Sequence, residues 1–160
     1  MQTTQHFSTI DANGYSRSSS IIRNKTSKLI ADLYNCEYNE MVSSGINAIY
    51  ITMFSLCQLY KHKDIVILIS DELFSGTKQY IFNRIIPDIS KVKIISFNVE
   101  DQVSFTKLIN KNSNITAIFI ESVSNPNGLM GTYFKKYVSD DIYIIYDNTF
   151  LTPFLFKIFQ

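Results

Sequence analysis

Carboxylate and amide side chains stand directly after two hydrophobic stretches of this sequence. Asp147 follows the apolar run 142–146, and Glu121 follows the run 115–120, with Asn125 a short distance further on. A carboxylate at the rim of an apolar sheet is partly desolvated, so it favours a cation or a hydrogen-bond donor as its partner. These side chains are therefore candidates for holding a ligand. The simpler alternative is that Asp147 caps a turn and that Asn125 only belongs to an Asn-Pro-Asn-Gly turn.

A second candidate lies where Ser43-Ser44-Gly45 precedes a long apolar segment with helical spacing. The first amides of a helix have no partner within the helix, and the helix dipole makes this end positive, so an anion would fit there. The simpler interpretation, which an isolated Ser-Ser-Gly favours, is that Ser44 caps the helix and Gly45 eases packing. The sequence contains neither GxGxxG after a first strand nor GxxxxGK[ST], the motifs of the common nucleotide-binding loops.

Four apolar stretches predict the strands that would position these residues, namely 65–69, 92–97, 115–120 and 142–146. Apolar residues at helical spacing predict helices over 24–35, from 46 onward, over 73–86 with an end at Pro87, and over 101–110. Strands that alternate with helical crossovers are typical of a parallel sheet wrapped by helices. We therefore predict a three-layer α/β domain, in which ligands bind beyond the carboxyl ends of the strands.

Composition excludes several classes of function. Lys and Arg number 15 against 14 Asp and Glu, so no strong net field would attract nucleic acid or an anionic membrane. The content of 46% hydrophobic and 18% charged residues is that of a folded domain, and the apolar runs are too short to span a bilayer. Cys36 and Cys57, with only two histidines, lack the paired spacing of a zinc site, so no metal is expected. Without a leader-like start or a disulfide framework, we expect buried thiols and a cytoplasmic protein.

Five short motifs occur in order along the chain, each at a predicted loop or strand end. They are Tyr15-Ser16-Arg17, Ser43-Ser44-Gly45, Asp71-Glu72-Leu73-Phe74-Ser75-Gly76-Thr77, Glu121-Ser122-Val123-Ser124-Asn125-Pro126 and Tyr146-Asp147-Asn148-Thr149-Phe150. Together they resemble the Cys/Met-metabolism (trans-sulfuration) family of pyridoxal-phosphate enzymes, which includes cystathionine γ-synthase, cystathionine γ-lyase, cystathionine β-lyase and methionine γ-lyase. The resemblance implies a truncated PLP-transferase fold of type I, with an extended N-terminal arm over residues 1–20 and an incomplete cofactor-binding large domain over 21–160.

The resemblance implies pyridoxal 5'-phosphate as the cofactor, assigns three residues to its ring and includes Thr149 among the cofactor-binding residues. Asp147 matches the aspartate that pairs with the pyridine nitrogen and keeps it protonated, so that the ring accepts electrons. Asn125 matches the asparagine near the ring hydroxyl and the substrate carboxylate. Phe74 stands where the family usually has a tyrosine, so stacking on the ring is retained and the hydroxyl is lost.

Four further residues are assigned to the cofactor phosphate by the same resemblance. Gly45 and Ile46 match the backbone amides that hold it at a helix N-terminus. Tyr15 and Arg17 match a pair that reaches from one subunit into the phosphate site of its neighbour, where the Arg17 guanidinium could bind phosphate oxygens in a bidentate way. This assignment implies a homo-oligomer formed through the N-terminal arm.

The family's Schiff-base lysine lies in an S-x-T-K-type motif beyond the point where this sequence stops, and Lys157 is too close to Asp147 to match it. We therefore expect a truncated homologue of enzymes that carry out elimination or replacement on sulfur amino acids, inactive alone because it lacks the Schiff-base lysine. It would have no catalytic residue of its own and no covalent attachment of the cofactor at the family position. The alternative is a non-catalytic fragment that binds a partner or a phosphate ligand. The sequence leaves open synthase or lyase activity, and β or γ chemistry.

Overall fold

The computed structural model describes residues 20–85, 92–130 and 137–155, and these fall into two compact units, 20–42 and 43–155. The smaller unit contains helix α1, Ile21–Tyr34. Its start lies three residues before the predicted one because the Ser20 hydroxyl accepts a hydrogen bond from the Arg23 amide at 3.2 Å and caps the helix there. It ends at Asn35, whose φ of 54° is a left-handed conformation that asparagine tolerates well.

The larger unit begins with helix α2, Gly45–Leu59, as its apolar spacing predicts. The residues buried on this helix are Ile49, Met53, Leu56 and Cys57. Burial raises the pKa of the Cys57 thiol, which therefore stays protonated. The expectation of buried thiols is confirmed for Cys57, whereas Cys36 is only partly buried.

Four parallel strands form one sheet in the order β2-β1-β3-β4. The strands are β1, Ile65–Ser70; β2, Val92–Phe97; β3, Ile115–Glu121; and β4, Tyr143–Asp147. Every residue of the two central strands, β1 and β3, is buried, whereas β4 is partly exposed along its length. The predicted parallel α/β sheet is therefore confirmed.

Helices pack on both faces of the sheet. After β1 come α3, Ser75–Tyr80, and a π-helical turn, Ile81–Ile85; α4, Gln102–Lys111, joins β2 to β3; and α5 is the short Thr152–Leu155. One face of β1 packs with α2 and the π-helical turn, and the other packs with Phe105 of α4, so the unit has three layers. In the described ranges, no helix has the length and apolar content needed to cross a membrane.

The helix predicted over 73–86 is wrong at its start, because Leu73 lies buried in the loop before α3. Residues 86 and 87, where that helix was expected to end, lie outside the described residues.

A bulge in β3 decides which way its carboxyl end faces. Val66 of β1 pairs with Ile115, but the next residue, Ile67, pairs with Ala117, so Thr116 is an extra residue in β3. Beyond the bulge, Ala117 and Phe119 lie in the same cluster as α2 and the π-helical turn. Because side chains alternate along a strand, Glu121 projects toward that same face.

Candidate functional site

The carboxyl ends of β1, β3 and β4 border a cavity of about 180 Å³, which we call the strand-end pocket. Its lining residues are Phe74, Thr77, Glu121, Val123, Asn125, Asp147, Thr149 and Phe150. Parallel strands bring their carboxyl ends to one edge of the sheet, so loops far apart in sequence meet there. The pocket thus brings together five residues singled out from the sequence, namely Phe74, Glu121, Asn125, Asp147 and Thr149.

Glu121, the last residue of β3, is 6% exposed and binds two backbone amides. Its Oε1 accepts a hydrogen bond from the Phe74 amide at 2.7 Å, and its Oε2 accepts one from the Asn125 amide at 3.1 Å. Burial raises the pKa of Glu121; the two amide bonds oppose this shift, and the nearby charge of Asp147 adds to it. Glu121 therefore joins the loop after β1 to the loop after β3.

Asp147, the last residue of β4, is only partly buried. Its Oδ1 accepts hydrogen bonds from the amide of Thr149, at 3.1 Å, and from the Thr149 hydroxyl. This is the local turn that the simpler interpretation of Asp147 predicts. Within the described ranges no donor contacts Oδ2, so the carboxylate keeps one oxygen for a further partner.

Ser122 connects the ends of β3 and β4. Its amide and its hydroxyl both donate to the Asp147 carbonyl oxygen, at 2.9 and 3.0 Å, and the hydroxyl also lies 2.5 Å from Asn148 Oδ1. These contacts fix the backbone on which the Asp147 side chain stands.

The turn predicted around Asn125 is confirmed. The Gly128 amide donates to the Ser124 carbonyl at 2.9 Å, and Gly128 has a φ of 67°, which only glycine adopts without strain. The Ser124 hydroxyl accepts from the Leu129 amide at 2.9 Å. Asn125 stands exposed at the start of this turn, with its side chain at the pocket.

The Phe74 ring, 45% exposed, lies against the first turn of α3. A methyl group added to Gly76 would lie 2.6 Å from Phe74 Cε1, so the glycine makes room for this ring position. Phe150, 55% exposed, is the second aromatic side chain of the pocket.

Gly45 and Ile46 do not line the strand-end pocket; they form the first turn of α2 in the same unit. The Ser44 hydroxyl caps this helix by accepting from the Asn47 amide at 3.2 Å, as the simpler interpretation predicts. In the part of the chain that the structure describes, the amides of Gly45 and Ile46 have no acceptor, and a methyl group on Gly45 would meet nothing within 4 Å. The Ile46 side chain packs against the core.

Three residues considered in the sequence, Tyr15, Arg17 and Lys157, lie outside the described residues. The sequence assigned no site role to the pocket residues Thr77, Val123 and Phe150. Glu121 was a candidate for holding a ligand, but its hydrogen bonds to two loops were not predicted. A signal was present for Glu121, because a glutamate that continues a fully apolar strand is buried and needs partners.

Comparisons with known proteins agree with this fold. The family model for Cys/Met metabolism PLP-dependent enzymes matches residues 2–160. A structure described as an O-acetylhomoserine (thiol)-lyase from Campylobacter jejuni, which contains N'-pyridoxyl-lysine-5'-monophosphate, matches with a TM-score of 0.70 and 26% identity over 91% of this chain. A search of curated protein sequences gave no match.

Two further solved structures share the fold at lower identity. MetB from Corynebacterium glutamicum matches 93% of this chain with a TM-score of 0.75 and 19% identity, and O-acetylhomoserine sulfhydrylase from Wolinella succinogenes matches 82% with a TM-score of 0.67 and 17% identity. The chain spans 34%, 37% and 36% of the lengths of these three structures. From the match over residues 2–160, the chain belongs to the Cys/Met metabolism family of PLP-dependent enzymes.

Proposed function

We propose that the strand-end pocket is part of a pyridoxal-phosphate site, in which Asp147 pairs with the pyridine nitrogen of the cofactor. The observation that carries this proposal is the state of the Asp147 carboxylate: its turn fixes Oδ1, and Oδ2 has no donor in the described part of the chain. A carboxylate held in this way is ready to accept a hydrogen bond from a protonated ring nitrogen.

The other pocket residues fit an aromatic, polar ligand. Phe74 and Phe150 offer exposed aromatic surface for a ring, and Asn125 offers an amide side chain that both donates and accepts. The cavity of about 180 Å³ is below the roughly 300–1,000 Å³ usual for ligand sites, so the described residues enclose only part of such a ligand.

Pyridoxal phosphate, when bound, supplies an electron sink for the α-carbon of an amino acid. Asp147 supports that chemistry electrostatically, because a nearby carboxylate favours the protonated form of the ring nitrogen. Phe74 contributes apolar surface but has no hydroxyl with which to move a proton.

We assign the cofactor phosphate to the first turn of α2. Two amides, those of Gly45 and Ile46, are without an acceptor in the described residues, and the 15-residue helix adds the positive end of its dipole. The family resemblance adds Tyr15 and Arg17 of a second copy of the chain to this phosphate, which would make the complete site a feature of an oligomer.

The relatives named for O-acetylhomoserine support sulfur amino acids or activated homoserine as the substrate class of the complete site. We propose that these 160 residues alone bind the cofactor without turnover. In support, the lining of the strand-end pocket, as described, contains no lysine to carry or release the cofactor.

Calorimetric titration with pyridoxamine 5'-phosphate tests the binding part, since this compound has no aldehyde that could react with surface lysines. We expect saturable binding that Asp147→Asn weakens by about 10–100-fold, the loss of one hydrogen bond to a charged group. Equal binding by the variant would contradict the assignment of Asp147. If inorganic phosphate bound as tightly as pyridoxamine 5'-phosphate, the chain would be a phosphate-binding module instead.

A turnover assay tests the second part. The chain with pyridoxal phosphate should release no more α-keto acid from cystathionine or methionine than free pyridoxal phosphate does. Release above that level, together with borohydride fixation of the cofactor on one lysine, would overturn the proposal that the chain is inactive alone.

A further inference from the structure

Glu121 has a position that the proposed chemistry does not use. It is buried at the end of a central strand, lines the strand-end pocket, and has both carboxylate oxygens bound to backbone amides. Neither amide takes part in the backbone hydrogen bonds of a helix or of the sheet. One is that of Phe74, 47 residues away in sequence, and the other is that of Asn125.

Both amides belong to residues whose side chains line the pocket. Phe74 precedes α3 at the capping position, where its own side chain makes no hydrogen bond to the helix. Asn125 opens the turn after β3, in an exposed loop. The backbone of each residue is therefore fixed from inside the protein by the same carboxylate.

A second contact joins the same two loops. Glu72, in the loop after β1, accepts from the side-chain amide of Asn127 at 2.6 Å, and this contact is exposed. Glu121, at the end of β3, thus binds the loop after β1, and Glu72, in the loop after β1, binds the turn after β3.

We propose that Glu121 is a positioning residue, whose carboxylate ties the loop after β1 to the loop after β3 and so sets the placement of Phe74 and Asn125 across the pocket. The tie is a property of the chain by itself, whereas its benefit to the cofactor ring rests on the proposed function. Only a carboxylate of this length can serve both amides. Glutamine has a single acceptor oxygen, and its NH₂ group would face an N–H donor. Aspartate keeps the charge but is shorter by one methylene.

Amide hydrogen exchange, followed residue by residue by NMR, tests the tie without any ligand. In Glu121→Gln, the amide of Phe74 or of Asn125 should exchange at least about tenfold faster than in the unchanged chain, because one donor loses its acceptor. Glu72→Gln is the matched control, since the glutamine oxygen can still accept from Asn127, and it should leave both rates unchanged. Wild-type exchange rates at both amides in folded Glu121→Gln would overturn the proposal.

Ligand titration separates positioning from general support of the fold. Glu121→Gln should weaken pyridoxamine 5'-phosphate by about fivefold or more and leave the affinity for inorganic phosphate unchanged, because only the former has a ring to contact Phe74 and Asn125. An equal loss for both ligands, or no loss for either alongside faster exchange, would overturn the positioning role. If the unchanged chain bound neither ligand, the proposed function would fail, and the exchange rates would still decide whether the tie exists.

If Glu121→Gln does not fold, the same exchange experiment can be carried out on Glu121→Asp. The shorter carboxylate cannot reach both amides, so we expect the same selective acceleration at one of them. Unchanged exchange in a folded Glu121→Asp would also overturn the proposal.

Discussion

Glu121 and Asp147 are register partners at the carboxyl ends of β3 and β4, but the two strand ends hold their carboxylates in different ways. Glu121 ends a fully buried central strand and has both oxygens bound to amides of other loops. Asp147 ends the partly exposed strand β4, and its own turn binds one oxygen.

This difference follows from the position of each strand in the sheet. A carboxylate at the end of a buried strand loses its water, so the protein must supply its hydrogen-bond partners. A carboxylate at the end of a partly exposed strand keeps some solvation, and its second oxygen stays available to a ligand. In our proposals these two neighbouring acids have different roles: Glu121 positions the loops around the pocket, and Asp147 accepts a hydrogen bond from the ligand.

Replacement of each carboxylate by alanine should give the largest difference in stability between the two strand ends. Glu121→Ala leaves two amides without their acceptor and should lower the free energy of unfolding by about 2–4 kcal/mol. Asp147→Ala loses only a local turn contact and should cost about 1 kcal/mol or less. Urea unfolding measures both values, and equal losses would show that the two strand ends are not different in kind.

The dependence of stability on pH should distinguish Glu121 from an exposed acid. Because the folded pKa of Glu121 is raised, the folded state binds more protons, and the stability due to this group falls as pH rises from the ordinary glutamate value through the raised one. Glu121→Gln should remove that fall. An unchanged slope in the variant would show that Glu121 is not its source.

Asp101, the exposed N-cap of α4, should change stability with pH in the opposite direction to Glu121. Hydrogen bonds from Ser104 lower the pKa of Asp101, so its contribution to stability is present above the ordinary aspartate value and is lost as pH falls through the lowered one. Asp101→Asn should therefore reduce the loss of stability at acid pH. It should leave unchanged the fall in stability at higher pH that is due to Glu121. Urea midpoints over a pH series provide both readings.

The smallest expected effect on stability concerns the first turn of α2. Because a methyl group on Gly45 meets nothing within 4 Å, Gly45→Ala should raise the free energy of unfolding by about 0.4–1 kcal/mol through the unfolded state. If a phosphate binds these amides, the added methyl group should also weaken inorganic phosphate severalfold. Greater stability with unchanged phosphate affinity would contradict the assignment of Gly45 to the phosphate site.

Continuous apolar runs made the strands predictable, since a strand buried on both faces needs apolar residues at every position. Asp147 and Glu121 were predictable as candidates because each follows such a run directly, and both line the pocket. The two loops that Glu121 joins were not predictable, because the face toward which it projects depends on the extra residue Thr116, and a bulge leaves no mark in an apolar run. The start of α3 was misjudged for a related reason: Leu73 is apolar because the loop buries it, not because a helix does.

The most direct test of the central claim, that Asp147 binds a ring nitrogen, is a comparison of two ligands on two proteins. Pyridoxamine 5'-phosphate and an analogue with carbon in place of the ring nitrogen would be titrated into the unchanged chain and into Asp147→Asn, which keeps an oxygen for the Thr149 contacts. We expect the unchanged chain to prefer the nitrogen-containing ligand by about tenfold or more and the variant to lose this preference. The same preference in both proteins, or none in either, would contradict it.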